Sequence, residues 1–300
     1  MLGIAVINYK TYTKTIDCIA SIRKTTKEPY RIYLLENGSK NESADVLSKE
    51  YSNATDVQLI FSTVNHGYAR GNNICIHHMR KDGCEYGLIS NNDIICEEGS
   101  IDRLVEDIKT RTEYLLIGPM ICDPAGKYQQ SIKLHQYSSI EYLLKSTYLS
   151  NFAKKLLVRE YSEASSIHEF KKVEWVSGAF FVFDLYKFDE IGNFDPKTFL
   201  FYEEYIITAK VQKKGYKIGY EPQARVLHYH SASTGGWTNI ITKIAADKSE
   251  RYYFKNYTDK NILFIEVLKL IRTVEVIFTF GKRRDFHSIK EYLKEVNQPL

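Results

Sequence analysis

Residues 3–35 read GIAVINYKTYTKTIDCIASIRKTTKEPYRIYLL and contain the pattern from which the fold follows. The run 3–9 is apolar and of strand length, as expected for a strand that is buried on both faces. Ile16, Ile19 and Ile22 then recur at helical spacing, and residues 30–35 form a second apolar run. A strand, a helix and a second strand in this order predict a crossover unit with parallel strands.

The same alternation continues beyond residue 35. Further strands are predicted at 57–62, 85–90 and 114–119, with helices at 45–51, 69–81 and from residue 101 onwards. Another apolar strand is predicted at 174–184, and the tail 248–300 is predicted to form two or three helices. We therefore expect an α/β fold with a mostly parallel, Rossmann-like sheet flanked by helices, and a helical C-terminal extension.

The composition of the 300 residues is that of an ordinary globular protein, 44% hydrophobic and 26% charged. A net charge of +4 is too small to indicate a nucleic-acid partner. The five cysteines are odd in number and form no Cys-x-x-Cys pair, which favours buried thiols in a reducing compartment, the cytoplasm. We see no secretion signal and no apolar stretch long enough to span a membrane.

Polar residues cluster where the predicted strands end. These clusters are Asn8-Tyr9, Glu36-Asn37, the loop at Asn65 and Asn91-Asn92-Asp93. Because ligands of parallel sheets bind beyond the carboxyl ends of the strands, the clusters predict a site for a ligand with hydroxyls and ring nitrogens. Asn, Asp and Gly are also common turn formers, and for each loop taken alone this alternative remains.

A second chemical cluster lies in residues 199–231, FLFYEEYIITAKVQKKGYKIGYEPQARVLHYHS. Glu203 and Glu204 open a short predicted helix, and the predicted strand that follows directs His228 and His230 to one face. A carboxylate at a helix start and imidazoles at a strand end can supply a base and a metal ligand. A capped surface helix followed by a strand with solvated histidines is the alternative.

Eight short segments follow one another along the chain: NYK, ENGS, NHGYARGNN, SNND, GPMICDPAGKYQQS, SGAFFVF, YKFDEIGNFDPKTFLFYEE and GYKIGYEPQARVLHYHSAS. A Tyr-Tyr-Phe-Lys-Asn run at 252–256 comes after them. In order and spacing this set resembles family 2 glycosyltransferases of the GT-A fold, with the rhamnosyltransferase-like enzymes of bacterial surface polysaccharide assembly as the nearest subgroup. The resemblance covers residues 3–256.

The resemblance implies an inverting transferase that moves a sugar from a dTDP- or UDP-sugar to a hydroxyl of a saccharide or lipid-linked acceptor. It implies that Glu204 is the general base, and that Asp93 and His228 bind a divalent cation, Mn²⁺ or Mg²⁺. The implied donor-binding residues are Asn8, Tyr9, Glu36, Asn65, Gly67, Asn72, Asn91, Asn92 and Asp93. The implied acceptor-binding residues are Gly178, Glu203 and Trp237.

The resemblance also implies a division of the chain. A catalytic domain is expected at residues 1–245, with a nucleotide-sugar-binding half (1–120) and an acceptor-binding half (121–245). Residues 246–300 are expected to form the C-terminal extension.

The chain departs from the family pattern after the acidic pair. Ile206 stands where a second acid is usual, and Lys210 where Arg is usual, so the forked geometry of Arg is lost. These departures, with Asn91 in place of an acid, leave open a catalytically degenerate protein that binds nucleotide sugars or acts as a scaffold. A dinucleotide-dependent oxidoreductase is disfavoured, because the chain lacks a Gly-x-Gly-x-x-Gly turn.

The tail presents its own pair of alternatives. Residues 261–280 are strongly apolar and precede the basic run Lys282-Arg283-Arg284. This segment could lie on the inner face of the cytoplasmic membrane, where a lipid-linked acceptor is found, or pack on the catalytic domain or in a homodimer. Amphipathicity alone does not separate these alternatives.

Overall fold

The computed structural model describes residues 1–136, 138–146, 161–229 and 239–298. The first part of the chain forms β1 (Leu2–Asn8), α1 (Tyr12–Thr25), β2 (Tyr30–Asn37), α2 (Ser43–Tyr51), β3 (Val57–Ser62), α3 (Gly67–Lys81), β4 (Tyr86–Asn91), β5 (Ile94–Cys96), α4 (Ser100–Thr110) and β6 (Tyr114–Cys122). The second part forms β7 (Ile132–Lys133), α5 (Ser139–Ser146), β8 (Lys171–Val173), β9 (Trp175–Val176), β10 (Phe180–Asp184), α6 (Leu185–Glu190), α7 (Glu203–Lys213), β11 (Lys217–His228), α8 (Ile240–Tyr257), α9 (Ile262–Lys282) and α10 (Phe286–Val296).

The main sheet has the strand order β3-β2-β1-β4-β10-β6-β11-β5, with β8 beside β11. The first four of these strands are parallel, as are β6 and β11. β10 runs antiparallel to β4 and β6, and β5 runs antiparallel to β11. The register pairs Asn8 with Glu36, and Ile7 with Asn91, so the carboxyl ends of β1, β2 and β4 meet at one edge.

Helices cover both faces of the sheet, which explains the continuous apolar run at 3–9. Ile4 and Val6 pack into a core that includes Ile19 of α1, whereas Ala5 packs into the opposite core with Met79 of α3. All residues of β1 except the half-buried Ile7 are therefore buried. The five cysteines are buried and unpaired, as predicted from their number and spacing.

The structure differs from the predicted strands in two places. The predicted strand at 174–184 is divided into β9 and β10, with the small residues 177–179 between them. β5 follows β4 after only two residues, so that the turn at 92–93 lies between two strands of the same sheet. The glycine at 178 and the turn-forming Asn91-Asn92-Asp93 are the physical reasons for these breaks.

The C-terminal helices pack on the rest of the chain. α9 contributes Phe264, Ile265 and Leu268 to a small core that also includes Phe254 of α8. The hydroxyls of Tyr252 and Tyr257 donate to Oδ2 of Asp195 at 2.8 and 2.6 Å. Among the described helices, none combines the length and the apolar character that a bilayer-spanning segment needs. The predicted division at residue 245 falls within α8 and remains a prediction.

Candidate active site

A chain of hydrogen bonds joins the ends of β1, β2 and β4. Nδ2 of Asn92 donates to the hydroxyls of Thr11 and Thr15 at 2.8 and 2.9 Å. Thr15 in turn donates to Oδ1 of Asn8 at 2.8 Å, and Nδ2 of Asn8 donates to Oγ of Ser39 at 3.3 Å. Asn8, Thr15 and Ser39 are buried. The structure therefore brings Asn8 and Asn92, 84 residues apart in the chain, into one polar network.

Glu36 enters this network through its own turn. Its carboxylate accepts the backbone N–H groups of Gly38 and Ser39 at 3.1 and 3.0 Å, and the residue is buried. Tyr9, half-buried, follows β1 at the same edge, with the amine of Lys10 5.0 Å from its ring centroid. The contacts of Glu36 shape the turn, and its expected role in donor binding remains a prediction.

The loop before α3 forms a second network beside the first. Oδ1 of Asn65 accepts hydrogen bonds from Nδ2 of Asn37 at 3.0 Å and from N–H of Gly67 at 2.8 Å. Gly67 has a φ of +72°, and a Cβ there would lie 2.2 Å from the carbonyl oxygen of Phe199, so only glycine fits. Nδ2 of Asn72 donates to the Tyr68 carbonyl at 3.1 Å within α3, so this predicted donor residue uses its amide inside the helix.

Asp93 and His228 lie side by side. Nε2 of His228 is 3.3 Å from Oδ1 of Asp93, and their side chains are 10% and 7% exposed. The backbone explains the contact, because β5 pairs with the end of β11 and the N–H of Tyr229 donates to the Asp93 carbonyl at 3.0 Å. Within the described ranges no group of three His, Cys, Asp or Glu side chains could hold a metal ion. His230 and Trp237 lie outside the described residues.

Glu203 and Glu204 form the first turn of α7. The two residues before them, Phe201 and Tyr202, have φ values of +70° and +68°, an uncommon left-handed pair that turns the chain sharply into the helix. Oε1 of Glu204 accepts the N–H of Gly178 at 3.2 Å. The carbonyl of Gly178 accepts the Tyr68 hydroxyl at 2.5 Å.

The same backbone segment leads from Glu204 to the sheet edge. The residue after Gly178, Ala179, accepts a hydrogen bond from the N–H of Asn91 at 2.8 Å. Asn91 lies two positions before Asp93 and borders the first polar network through Asn92. The carboxylate of Glu204 is thus connected to the edge at which Asn8, Asn92 and Asp93 meet.

The two acids differ in their surroundings. Glu203 is 4% exposed and its Oε1 has no hydrogen-bond partner among the described residues. Burial, followed by the charge of Glu204, holds the pKa of Glu203 well above its usual range. Burial also raises the pKa of Glu204, but the Gly178 N–H and the charge of Lys133 oppose that rise. We therefore assign the proton of the pair to Glu203 and the negative charge to Glu204.

The two positions at which the chain departs from the family pattern both contribute to packing. Ile206 is fully buried. Nζ of Lys210 donates to the carbonyl of Asn193 at 2.7 Å and lies 3.4 Å from that of Gly192. Burial lowers the pKa of Lys210, and the charge of Asp195 acts in the opposite direction. Lys210 therefore binds the segment that follows α6.

Several polar residues of the site were not predicted from the sequence: Thr11, Thr15, Ser39, Tyr68 and Lys133. Thr11 and Thr15 are four residues apart at the start of a helix that follows a strand end, and this spacing could have indicated them. Tyr68 lies within the NHGYARGNN segment. Lys133 carries no local signal, because it reaches Glu204 only through the fold.

The chain is similar to known proteins both in sequence and in fold. The sequence profile described as "Glycosyl transferase family 2" matches residues 4–171. Over 262 residues the chain is 24% identical to an N-acetylglucosaminyl-diphospho-decaprenol L-rhamnosyltransferase of Mycobacterium tuberculosis, covering 85% of this chain and 83% of the relative. The same match is found in a second strain of that organism.

Two solved structures share the fold. GalNAc-T7 with UDP, GalNAc and Mn²⁺ superposes with a TM-score of 0.60 at 15% identity, over 91% of this chain. The chain spans only about half, 54%, of that protein. The mannosyltransferase PcManGT of Pyrobaculum calidifontis, with GDP-Man and Mn²⁺, superposes with a TM-score of 0.57 at 10% identity, over 98% of this chain and 85% of that one. The fold is thus that of GT-A glycosyltransferases, and the chain belongs to glycosyl transferase family 2.

Proposed function

We propose that this protein transfers a sugar, with inversion, from a nucleotide diphosphate donor to a hydroxyl of a lipid-linked saccharide. The observation that carries the proposal is the half-buried carboxylate of Glu204, which accepts the Gly178 N–H beside the sheet-edge networks. A half-buried carboxylate whose pKa is raised by burial, beside a second acid whose pKa is held well above its usual range, is suited to accept a proton near neutral pH.

In the proposed transfer reaction, Glu204 acts as the general base. The acceptor hydroxyl attacks the anomeric carbon of the donor while its proton moves to Glu204. The new C–O bond forms as the bond to the diphosphate breaks, and that electron pair leaves with the nucleoside diphosphate. A single displacement of this kind inverts the anomeric configuration.

Asp93 and His228 fit a divalent cation. A carboxylate oxygen and an imidazole nitrogen lie 3.3 Å apart at the sheet edge, and two such ligands leave the remaining positions to donor oxygens. This set suits Mn²⁺ or Mg²⁺ better than a closed zinc site. When bound, such a cation supplies Lewis-acid stabilisation of the negative charge on the leaving diphosphate.

The choice of substrates rests on the relatives. The mycobacterial relative is a rhamnosyltransferase whose named acceptor is N-acetylglucosaminyl-diphospho-decaprenol. We propose a dTDP- or UDP-sugar as donor and an N-acetylglucosaminyl-diphospho-polyprenol as acceptor, in bacterial surface polysaccharide synthesis. The donor would bind at the networks of Asn8, Glu36, Asn65 and Asn92.

A transfer assay tests this function. The protein is incubated with Mn²⁺, the acceptor and each of dTDP-rhamnose, UDP-glucose and UDP-galactose, and release of the nucleoside diphosphate and the glycosylated lipid are measured. We expect transfer from one donor, and product of inverted anomeric configuration. Binding of a donor, seen as a rise in melting temperature, without any transfer would favour the degenerate nucleotide-sugar-binding protein instead.

The exposed face of α9 supports a site of action at the membrane. Leu263, Leu270, Val274 and Ile277 form one stripe and are between 45% and 67% exposed, although the opposite face of the helix is buried. The exposed basic run 282–284 follows at the end of the helix. An apolar stripe beside basic residues is suited to the surface of an anionic bilayer.

Vesicle flotation tests this membrane contact. We expect the protein to float with vesicles that contain phosphatidylglycerol and to remain behind with phosphatidylcholine alone. The double variant Leu270→Glu/Ile277→Glu should not float, because two charges enter the stripe. A dimer that dissociates in this variant and binds no vesicles would assign the stripe to a homodimer instead.

A further inference from the structure

A cleft of about 300 Å³ opens beside α7, and none of the residues that line it belongs to the sheet-edge networks. We term it the aromatic cleft, because Trp175 of β9, Tyr205 of α7 and Tyr253 of α8 line it. Its volume lies at the lower end of the range of small-molecule sites, about 300–1,000 Å³. The catalytic machinery derived above does not use these three residues.

The rings of the cleft form a continuous aromatic surface. The centroid of Tyr205 lies 5.7 Å from that of Trp175 and 5.7 Å from that of Tyr253. Glu174 and Gln212 also line the cleft, and Glu174 accepts a hydrogen bond from Nε2 of Gln212 at 2.8 Å. A pyranose ring has apolar C–H faces and a rim of hydroxyls, so aromatic faces next to carboxylate and amide groups suit it.

The cleft begins one residue from the proposed base. Tyr205 directly follows Glu204, and Gln212 lies seven positions beyond Tyr205, two turns further along the same face of α7. Lys133 links the two, because its Nζ donates to the Tyr205 hydroxyl and its charge opposes the rise that burial causes in the pKa of Glu204. On its other side Glu204 accepts the N–H of Gly178, and the next residue, Ala179, accepts the N–H of Asn91 at the sheet edge.

We propose that the aromatic cleft binds the sugar of the acceptor, with its reacting hydroxyl directed past Tyr205 to Glu204. This inference rests on the proposed function, since only a transferase has an acceptor. Trp175 and Tyr253 hold the faces of the sugar ring, and Glu174 and Gln212 meet its hydroxyls. Lys133 acts as a positioning residue that holds the Tyr205 ring, whose centroid lies 4.3 Å from its Nζ.

Kinetics of a matched pair of variants test the cleft. The acceptor is N-acetylglucosaminyl diphosphate on a short polyprenyl chain, and hydrolysis of the donor is followed separately without acceptor. We expect Trp175→Ala to raise the acceptor KM about tenfold and Trp175→Phe to restore most of that loss, because an aromatic face returns. Donor hydrolysis should be unchanged in both. As a control, Tyr186→Ala removes an aromatic ring that is 75% exposed on α6.

A binding measurement keeps the test independent of turnover and of the folding of Trp175→Ala. The chain has two tryptophans, so a fluorescence change that is present in the unaltered protein and absent in Trp175→Phe reports on Trp175. Titration of the unaltered protein with methyl N-acetyl-β-glucosaminide should give such a saturable change, and Tyr205→Ala should weaken it.

The outcomes separate the two proposals. An unchanged acceptor KM in Trp175→Ala, or no fluorescence response, overturns the cleft as acceptor site while transfer by the unaltered protein upholds the proposed function. A saturable response without any transfer upholds the cleft as a sugar site and overturns the proposed function.

Discussion

The backbone N–H of Gly178 donates to Oε1 of Glu204 at 3.2 Å, and this contact joins the break between β9 and β10 to the first turn of α7. A Cβ at position 178 would lie 2.7 Å from that oxygen and 2.8 Å from Cγ of Glu204. Glycine is therefore required here, because the carboxylate of Glu204 approaches the backbone closely. The break between β9 and β10 is the place at which this contact forms.

Gly178→Ala should reduce transfer on the order of 10²-fold, because the added methyl group displaces the proposed base. The free energy of unfolding should change little, since the clashing atoms belong to a side chain that can rotate away. Both are measurable, by the transfer assay and by urea denaturation. Gly281→Ala is the control, because a Cβ there meets no atom within 4 Å. Full activity of Gly178→Ala would contradict the role of this contact.

The two acids of α7 should respond differently to the same substitution. Glu203→Gln replaces a carboxyl whose pKa is held well above its usual range, so transfer should fall by less than about tenfold. Glu204→Gln removes the proton acceptor and should cost about 10²–10⁴-fold in kcat while donor binding is kept. Equal losses in the two variants, measured with saturating donor and acceptor, would show that the assignment of the proton to Glu203 is wrong.

Removal of divalent cations should abolish both transfer and tight donor binding. We expect dialysis against EDTA to lower the melting temperature measured with donor present, and Mn²⁺ to restore it. In His228→Ala the restoration should need a higher Mn²⁺ concentration, because one ligand is lost. His77→Ala, at an exposed position of α3, is the matched control. Donor binding that is insensitive to EDTA would contradict a metal at Asp93 and His228.

The elements of the fold were largely predictable from the sequence. The strand at 57–62 has the predicted bounds, and Ile16, Ile19 and Ile22 lie in α1, because a short apolar run and an amphipathic helix each leave a distinct pattern in the sequence. The direction of each strand in the sheet was harder to predict from the sequence than its position in the chain. β10 and β5 run antiparallel within the sheet, and only long-range pairing decides this.

Contacts within the candidate site were predictable where its residues follow strand ends, although the roles of these residues stay predictions. Asp93 and His228 were expected to bind the same cation, and the structure places them 3.3 Å apart. Lys133 and Tyr68 could not be inferred in the same way, because they approach Gly178 and Glu204 from distant parts of the chain. These contacts form only when the chain has folded, and no spacing in the sequence indicates them.

The C-terminal helices should make stability dependent on pH through Asp247. Burial raises the pKa of this residue to about 6 from its ordinary 3.8, although the Tyr292 hydroxyl donates to it at 2.6 Å. A carboxyl with a raised pKa in the folded state contributes stability that is fully present below the unfolded pKa and is lost as the pH rises through about 6.

We therefore expect the unaltered protein to lose about 3 kcal/mol of unfolding free energy between pH 4 and 7 relative to Asp247→Asn. Urea denaturation at a series of pH values measures this difference. In Tyr292→Phe the loss should extend to higher pH, because the hydrogen bond that lowers the pKa of Asp247 is removed. Parallel pH profiles of the unaltered protein and Asp247→Asn would contradict the raised pKa.

A buried ion pair connects these helices to the proposed base. Arg272 of α9 donates to both oxygens of Glu250 of α8, from Nε at 2.9 Å and from Nη2 at 2.8 Å. The hydroxyl of Tyr202, the residue before the two acids, donates to the same carboxylate at 2.6 Å. Burial acts to raise the pKa of Glu250, but Arg272 outweighs it and the pKa is lowered. The left-handed turn into α7 is thus held from the C-terminal extension.

Arg272→Leu should lower the free energy of unfolding by about 3–5 kcal/mol, because it leaves the carboxylate of Glu250 buried without its partner. The double variant Arg272→Leu/Glu250→Leu should recover part of this stability, since an apolar pair replaces the charges. The double variant should not regain full transfer, because in it Tyr202 has lost the carboxylate that fixes the start of α7. Arg23→Leu breaks an ion pair whose side chains are 37% and 32% exposed and should cost only about 0–1 kcal/mol. Normal transfer in the folded double variant, measured well below its melting temperature, would show that the extension does not position Glu204.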